Sequence, residues 1–292
     1  MTTAAAGTLT TDLAGGETFA KNVTDTGHFV ATGTTNNYAI SGIVCGTGNF
    51  TKTGANNVTV TGANTYKGGT AVSGGTLLID NTSGSGTGTG AVTVNNGGTL
   101  GGTGTITGAM TLNYGGTVEP GAGSIGTAGT TLHATSMLWN SGGTLTLQLG
   151  PTGDELVLTG ALTKSATGTF TLNLLDAGIT QTTYTLATFS SSTFAASNFT
   201  LELPTGDTGN LVKTATSLML TMVSVEERAA GTSPTTPLLG LSSDLSASSS
   251  SPSSSNSDTT GTSVVPTPEP GSATLLTAGA GCVLGWRRRR RG

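Results

Sequence analysis

The chain has 292 residues, 47 of them Gly and 62 Thr, with charged residues at only 9% and aromatics at 4%. Lys and Glu are too scarce for a helical bundle or coiled coil, and the Gly lacks the three-residue period of collagen. Apolar residues at 34% exceed what a wholly disordered chain carries, so many small β-formers and many turn residues point to a repetitive all-β structure.

Residues 1–49 read as a β-rich segment of early rungs. Residues 50–149 hold the clearest signal, period-2 alternation in short runs: Val58-Thr59-Val60-Thr61, Val92-Thr93-Val94 and Leu145-Thr146-Leu147-Gln148-Leu149. The intervening Thr is β-branched and suits a pleated, half-exposed surface. Gly pairs punctuate these runs as copies of one unit: Gly74-Gly75-Thr76-Leu77, Gly97-Gly98-Thr99-Leu100, Gly115-Gly116-Thr117-Val118 and Gly142-Gly143-Thr144-Leu145. Repeats of about 20 residues, each with short strands, indicate a solenoid whose units bury their apolar faces only by stacking. Strands of three to five residues with Gly at the bends suit a parallel β-helix, and no helix is expected over residues 1–225. Asn64, Asn81, Asn95, Asn96 and Asn113 fall near the bends, where stacked amides form ladders. Outward Thr is expected in hydrogen-bonded rows, and the narrow interior leaves little room for large aromatics.

Residues 150–225 carry longer runs, at Glu155-Leu156-Val157-Leu158, residues 170–175, 184–189, 199–203 and 217–223, and five of the chain's aromatics. They read as terminal rungs plus a β cap that covers the unpaired edges of the last coil. Residues 226–265 form a linker; 13 Ser with Pro234, Pro237 and Pro252 over residues 231–263 cannot bury enough apolar surface to order themselves. Residues 266–292 end in an apolar stretch and Arg287, Arg288, Arg289, Arg290 and Arg291.

The formal charge is −4, and without that Arg block the remainder has 6 basic against 15 acidic residues. Nucleic acid is therefore not an expected partner. Cys45 and Cys282 lie in unlike contexts, which argues against a disulfide framework and a cysteine metal site. His28 and His133 have no ligand-like spacing. Asp154-Glu155 reads as a solvated turn, with a weak cation site or half of a glycosidase pair as the alternative. Residues 84–90, GSGTGTG, lack the Lys of a phosphate-binding loop and read as a flexible bend. No catalytic residue, cofactor or metal is expected, and the chain is read as no enzyme. The cations of residues 50–225, Lys52, Lys67, Lys164 and Lys213, are too few for a polyuronate-cleaving face. Tyr66 and Tyr114 are the only tyrosines of the repeats, which leaves a sugar-binding groove few anchors.

Two resemblances add to this. The stretch from Phe50 to Gly121, with GANTYKGGT, GGTL, GSGTGTGAVTV and GGTLGGTGTI, resembles the autotransporter-associated β-strand repeat. That resemblance implies a right-handed parallel β-helix in an exported passenger, in adhesins among others. Pro268-Glu269-Pro270, the apolar residues 272–286 and the Arg block resemble the PEP-CTERM sorting signal of exopolysaccharide-producing Gram-negative bacteria. It implies processing near Pro268, Glu269 and Pro270 by an exosortase.

The tail carries its own physical argument. As a helix, the 15 residues 272–286 span about 22 Å against a hydrocarbon core of about 30 Å, so local thinning or helix extension makes up the rest. Ser272, Leu275, Leu276, Val283, Leu284 and Trp286 would form the membrane anchor, with the Arg block cytoplasmic by the positive-inside rule. Met1 to Thr8 has neither a basic start nor an apolar signal core, so the true start is expected upstream. The expectation is thus an all-β right-handed parallel β-helix with a β cap, a disordered linker and one transmembrane helix. It would serve as a structural protein of the cell surface or matrix, with exopolysaccharide or neighbouring surface proteins as contacts. The rival readings are an adhesin or polysaccharide-binding module and, behind it, a β-helix polysaccharide-degrading enzyme.

Overall fold

The structure, a computed structural model, describes residues 1–2, 7–121, 128–165 and 167–223. The chain winds in coils, each contributing a strand to up to three sides. The second side is a 9-stranded sheet, entirely parallel, from Thr18–Phe19 through Tyr38–Ile40, Asn57–Val60, Gly75–Ile79, Gly98–Gly102, Thr117–Pro120, Thr144–Leu149 and Phe170–Asp176 to Phe199–Glu202. Neighbours along this path are one coil apart in sequence, as a parallel solenoid requires. The first side starts at Thr8–Thr11, His28–Ala31, Asn49–Lys52, Thr70–Val72 and Val92–Val94. The third starts at Val23–Asp25 and Val44–Gly46.

Further along, the first and third sides merge into one 13-stranded sheet. Thr105–Leu112 and Thr131–Trp139 run around the corner between them. The second of these pairs with Glu155–Leu158 through its first half and with Ala161–Lys164 through its second. A register shift between Ile106 and Ala109 marks the bend, the usual device for re-aiming a strand.

Period-2 alternation places Leu, Val and Ile inward in columns. On the second side Tyr38, Val58, Leu77, Leu100, Val118, Leu145 and Leu172 are register partners in turn, and all are buried. Each such side chain contributes about 1.5–3 kcal/mol of burial, and no single coil could collect it alone.

The bends follow a rule that the Gly pairs only half revealed. Between the first and second sides the sequence is Asn-X-Gly-Gly at Asn95, Asn113 and Asn140. The last Gly donates to the carbonyl of the Asn, at 2.9 Å for Gly98, 3.0 Å for Gly116 and 3.2 Å for Gly143. The third position has φ of 78°, 68° and 77° at Gly97, Gly115 and Gly142, a conformation that costs other residues a clash at Cβ. At the bend from the third side back to the first, the reason for Gly is different. A Cβ on Gly68, Gly90 or Gly108 would collide with the carbonyl of Gly48, Gly68 or Gly90 one coil away.

The interior admits more aromatic bulk than its narrowness suggests. Phe29 and its register partner Phe50 stack at 5.3 Å along the coil axis, and Tyr66, from the bend before Thr70–Val72, stacks on Phe50 at 6.1 Å. Trp139 is fully buried against Phe170, Phe194 and Phe199. The run at 217–223 becomes the strand Ser217–Met222, which pairs antiparallel with Thr183–Thr188 and with Gly209–Lys213. The parallel array thus stops at a reversed hairpin. Among the described residues the one helical element is a 3₁₀ turn, Ala196–Asn198, and no helix is long and apolar enough to cross a membrane. The linker, the anchor and Cys282 lie outside the described residues.

Candidate functional surface

The sorting residues Pro268, Glu269 and Pro270, the anchor residues Ser272 to Trp286 and the Arg block also lie outside the described residues. What the structure builds is the outer surface of the coils. Its most regular feature is a threonine column on the second side: Thr76, Thr99, Thr117, Thr144, Thr171 and Thr200 are register partners in succession. The expected hydrogen-bonded Thr rows do not form here. Among the described residues these six hydroxyls make no bond to one another, and all six residues are at least partly exposed. Amides carry the side-chain ladder instead, as Asn95 Nδ2 donates to Ser73 Oγ (3.0 Å), Asn113 Nδ2 to Asn95 Oδ1 (2.9 Å) and Asn140 Nδ2 to Asn113 Oδ1 (2.7 Å). Asn140 was missed because only the Gly pairs were aligned; an Asn two residues before a Gly pair was the available signal. Asn64 and Asn81 bond backbone instead. Asn64 accepts from Val44 N and donates to Gly86 O, and Asn81 accepts from Thr105 N.

On the first side, outward positions shrink to Gly69, Ala71 and Ala91, and a hollow of about 330 Å³ opens over them. His28, Asn49, Thr51 and Thr93 stand around it. His28 Nε2 lies 2.6 Å from Thr51 Oγ1, and Asn49 Oδ1 accepts from Gly69 N at 3.0 Å. His133 is exposed on another part of the surface, with Thr105 as its register partner.

Three sequence expectations change here. Asp154 is fully buried, not a solvated turn. Its Oδ1 accepts from Thr130 N and Thr130 Oγ1 at 2.9 and 2.7 Å, and its Oδ2 from Gln148 N at 3.0 Å. It is a structural acceptor that ties three segments together. Burial, and then the charge of Asp154, raise the carboxyl of Glu119 above its ordinary pKa. Lys52 is not a surface cation. It points into the core, fully buried, and its Nζ donates to Thr53 O, Gly54 O and Gly74 O at 2.6, 3.0 and 3.0 Å. Burial pulls its pKa down to about 8. Residues 84–90 are no flexible bend: Ser85 and Thr87 are buried, while Gly86 N and Thr89 N donate to neighbouring coils at Thr105 O and Tyr66 O.

Tyr66 is buried and bonds Thr70 at 2.5 Å, whereas Tyr114 is 72% exposed. Among the described residues no group of three or more His, Cys, Asp or Glu could hold a metal ion.

Coils in register, amide-laddered bends and a hydroxyl-lined exterior define a β-solenoid repeat protein. A family model described as the passenger-associated-transport-repeat (PATR) matches residues 50–79. That span runs from the first-side strand Asn49–Lys52 through one full coil to the end of Gly75–Ile79. No curated protein matches the chain.

Proposed function

We propose that the chain is an exported structural protein of the cell surface or extracellular matrix of a Gram-negative bacterium. It is sorted through its C-terminal signal and has no catalytic role. The observation that carries the reading is the solenoid itself. Its interior is occupied by apolar columns and amide-tied bends, and two of its buried ionisable groups, Asp154 and Lys52, are bonded by backbone and Thr130. Asp154 and Lys52 thus hold coils together rather than standing as a poised acid and base. The match to a transported-passenger repeat supports export. The order Pro268-Glu269-Pro270, apolar stretch, Arg block supports processing by an exosortase, with residues 272–286 as a membrane helix until then. The right-handed winding expected of the repeat agrees with the general preference of parallel strand crossovers.

The exterior is Thr-rich and acidic: of the ten carboxylates and five lysines over residues 1–223, all but Asp25, Asp154 and Lys52 lie outside the buried core. Its contacts are therefore exopolysaccharide or neighbouring surface proteins. Glu269→Ala should leave the chain unprocessed and trapped in the membrane fraction; unchanged processing and release would refute the sorting signal. Activity of the purified chain on any polysaccharide of a broad panel, retained after further purification, would refute the non-catalytic role.

A further inference from the structure

The hollow on the first side combines an apolar floor with an uncharged polar rim. Its floor is Gly69, Ala71 and Ala91, whose side chains end at or before Cβ, so a flat apolar patch lies open between taller neighbours. Its rim is polar but carries no carboxylate and no ammonium. Asn49 accepts from Gly69 N through Oδ1, and its Nδ2 has no partner among the described residues. Thr51 and His28 bond each other, which leaves the second ring nitrogen of His28 without a partner among the described residues. Thr93 adds a hydroxyl from the far side, as the register partner of Ala71.

Size limits the occupant. About 330 Å³ is at the lower end of ligand sites, roughly 300–1,000 Å³, so the hollow admits one ring and not a folded peptide. Charge limits it further. The lining carries neither a carboxylate nor an ammonium, so a uronate carboxylate set on it would lose hydration with no cation to pair it. An apolar floor with donors and acceptors around the edge matches a group that has one C–H face and a girdle of hydroxyls.

We propose that this hollow seats one uncharged pyranose ring of a neutral polysaccharide, its C–H face on Ala71 and Ala91 and its hydroxyls on Asn49, Thr51, His28 and Thr93. The proposal deepens the matrix reading by naming the class of sugar. It rests on that reading only for where the sugar is met, so a failure of sorting leaves ring binding untouched.

The test is an amide-resolved NMR titration of the full chain with neutral glucose and mannose tetrasaccharides and, in parallel, a galacturonate tetrasaccharide. At least one neutral tetramer should give saturable shifts at Thr51, Gly69, Ala71 and Ala91, with Kd in the millimolar range, and the uronate should bind more weakly. Ala71→Ile adds a branched side chain that fills the floor from an outward strand position, where β-branched residues are well tolerated. It should weaken binding by about tenfold, equivalent to about 1.4 kcal/mol, with unchanged circular dichroism. Asn49→Ala, which keeps the floor open, should weaken it several-fold and serves if the Ile variant does not fold. Absence of saturable shifts with both neutral tetramers, tighter uronate binding, or full binding by the folded variants would overturn the proposal.

Discussion

The coils between Asn49 and Leu112 and those after Thr131 solve the same stacking problem with different materials. In the first region, beyond the stacked Phe50 and Tyr66, small residues repeat. Val72, Val94 and Leu112 succeed one another inward, Gly turns every bend, and an Asn ladder ties the corner. In the second region the same inward column continues into Trp139 and Lys164. Trp139 and the rings of Phe170, Phe194 and Phe199 fill the interior, and an antiparallel hairpin stops the array. Repetition stabilises through many equal, modest layers; termination concentrates its stabilisation in a few large side chains.

That contrast sets an order of sensitivity. Trp139→Ala removes the largest buried side chain together with its bond from Nε1 to Gly143 O at 3.0 Å. It should cost about 3–5 kcal/mol, read as a lowered urea midpoint, and clearly more than Val94→Ala in the repeats. A smaller cost for Trp139 would break the comparison. Next comes Gly90→Ala, whose methyl would strike Gly68 O on one coil. Overpacking of this kind costs about 1–3 kcal/mol, and the same measurement on Gly178→Ala, where no neighbour lies near the added methyl, separates collision from backbone strain. Asn113→Ala follows, since it removes one bond given to Asn95 and one received from Asn140. A loss of about 1–2 kcal/mol is expected.

The smallest effect is a pH dependence. Lys52 has its pKa lowered from 10.5 to about 8 by burial. Between those values the unfolded chain binds more protons than the folded one, so stability rises with pH from about 8 towards 10. Above 10 the buried Tyr38 and Tyr66, whose pKa values are raised by burial, oppose the trend. Tm should therefore climb by a few degrees from pH 8 to 9.5, and Lys52→Met should flatten that rise. An unchanged slope in the variant would assign the effect elsewhere.

Much of this was legible in the residues. The runs Glu155-Leu156-Val157-Leu158 and Val92-Thr93-Val94 are strands with those bounds, because period-2 alternation is a local signal. The Gly pairs gave the bends for the same reason. Lys52 and Asp154 were misjudged because charge normally marks surface, and one partner of each, Gly74 O for Lys52 and Thr130 for Asp154, comes from more than twenty residues away. The strand Gly209–Lys213 has only Leu211 and Val212 as apolar residues, and its pairing is set by Ser217–Met222. The hollow over Gly69 and Ala91 was invisible, since its floor is divided between Gly69 and Ala71 on one coil and Ala91 on the next, a juxtaposition with no pattern along the chain.

The threonine column offers the most direct test of stacking. Spin labels at Thr76 paired in turn with Thr144, Thr171 and Thr200 lie three, four and five coils apart by register. At about 4.8 Å per coil, parallel stacking predicts backbone separations of about 14, 19 and 24 Å, growing in that order with sequence separation. Distances that shrink or alternate along the series, as separate hairpins folded back on themselves would give, would contradict it.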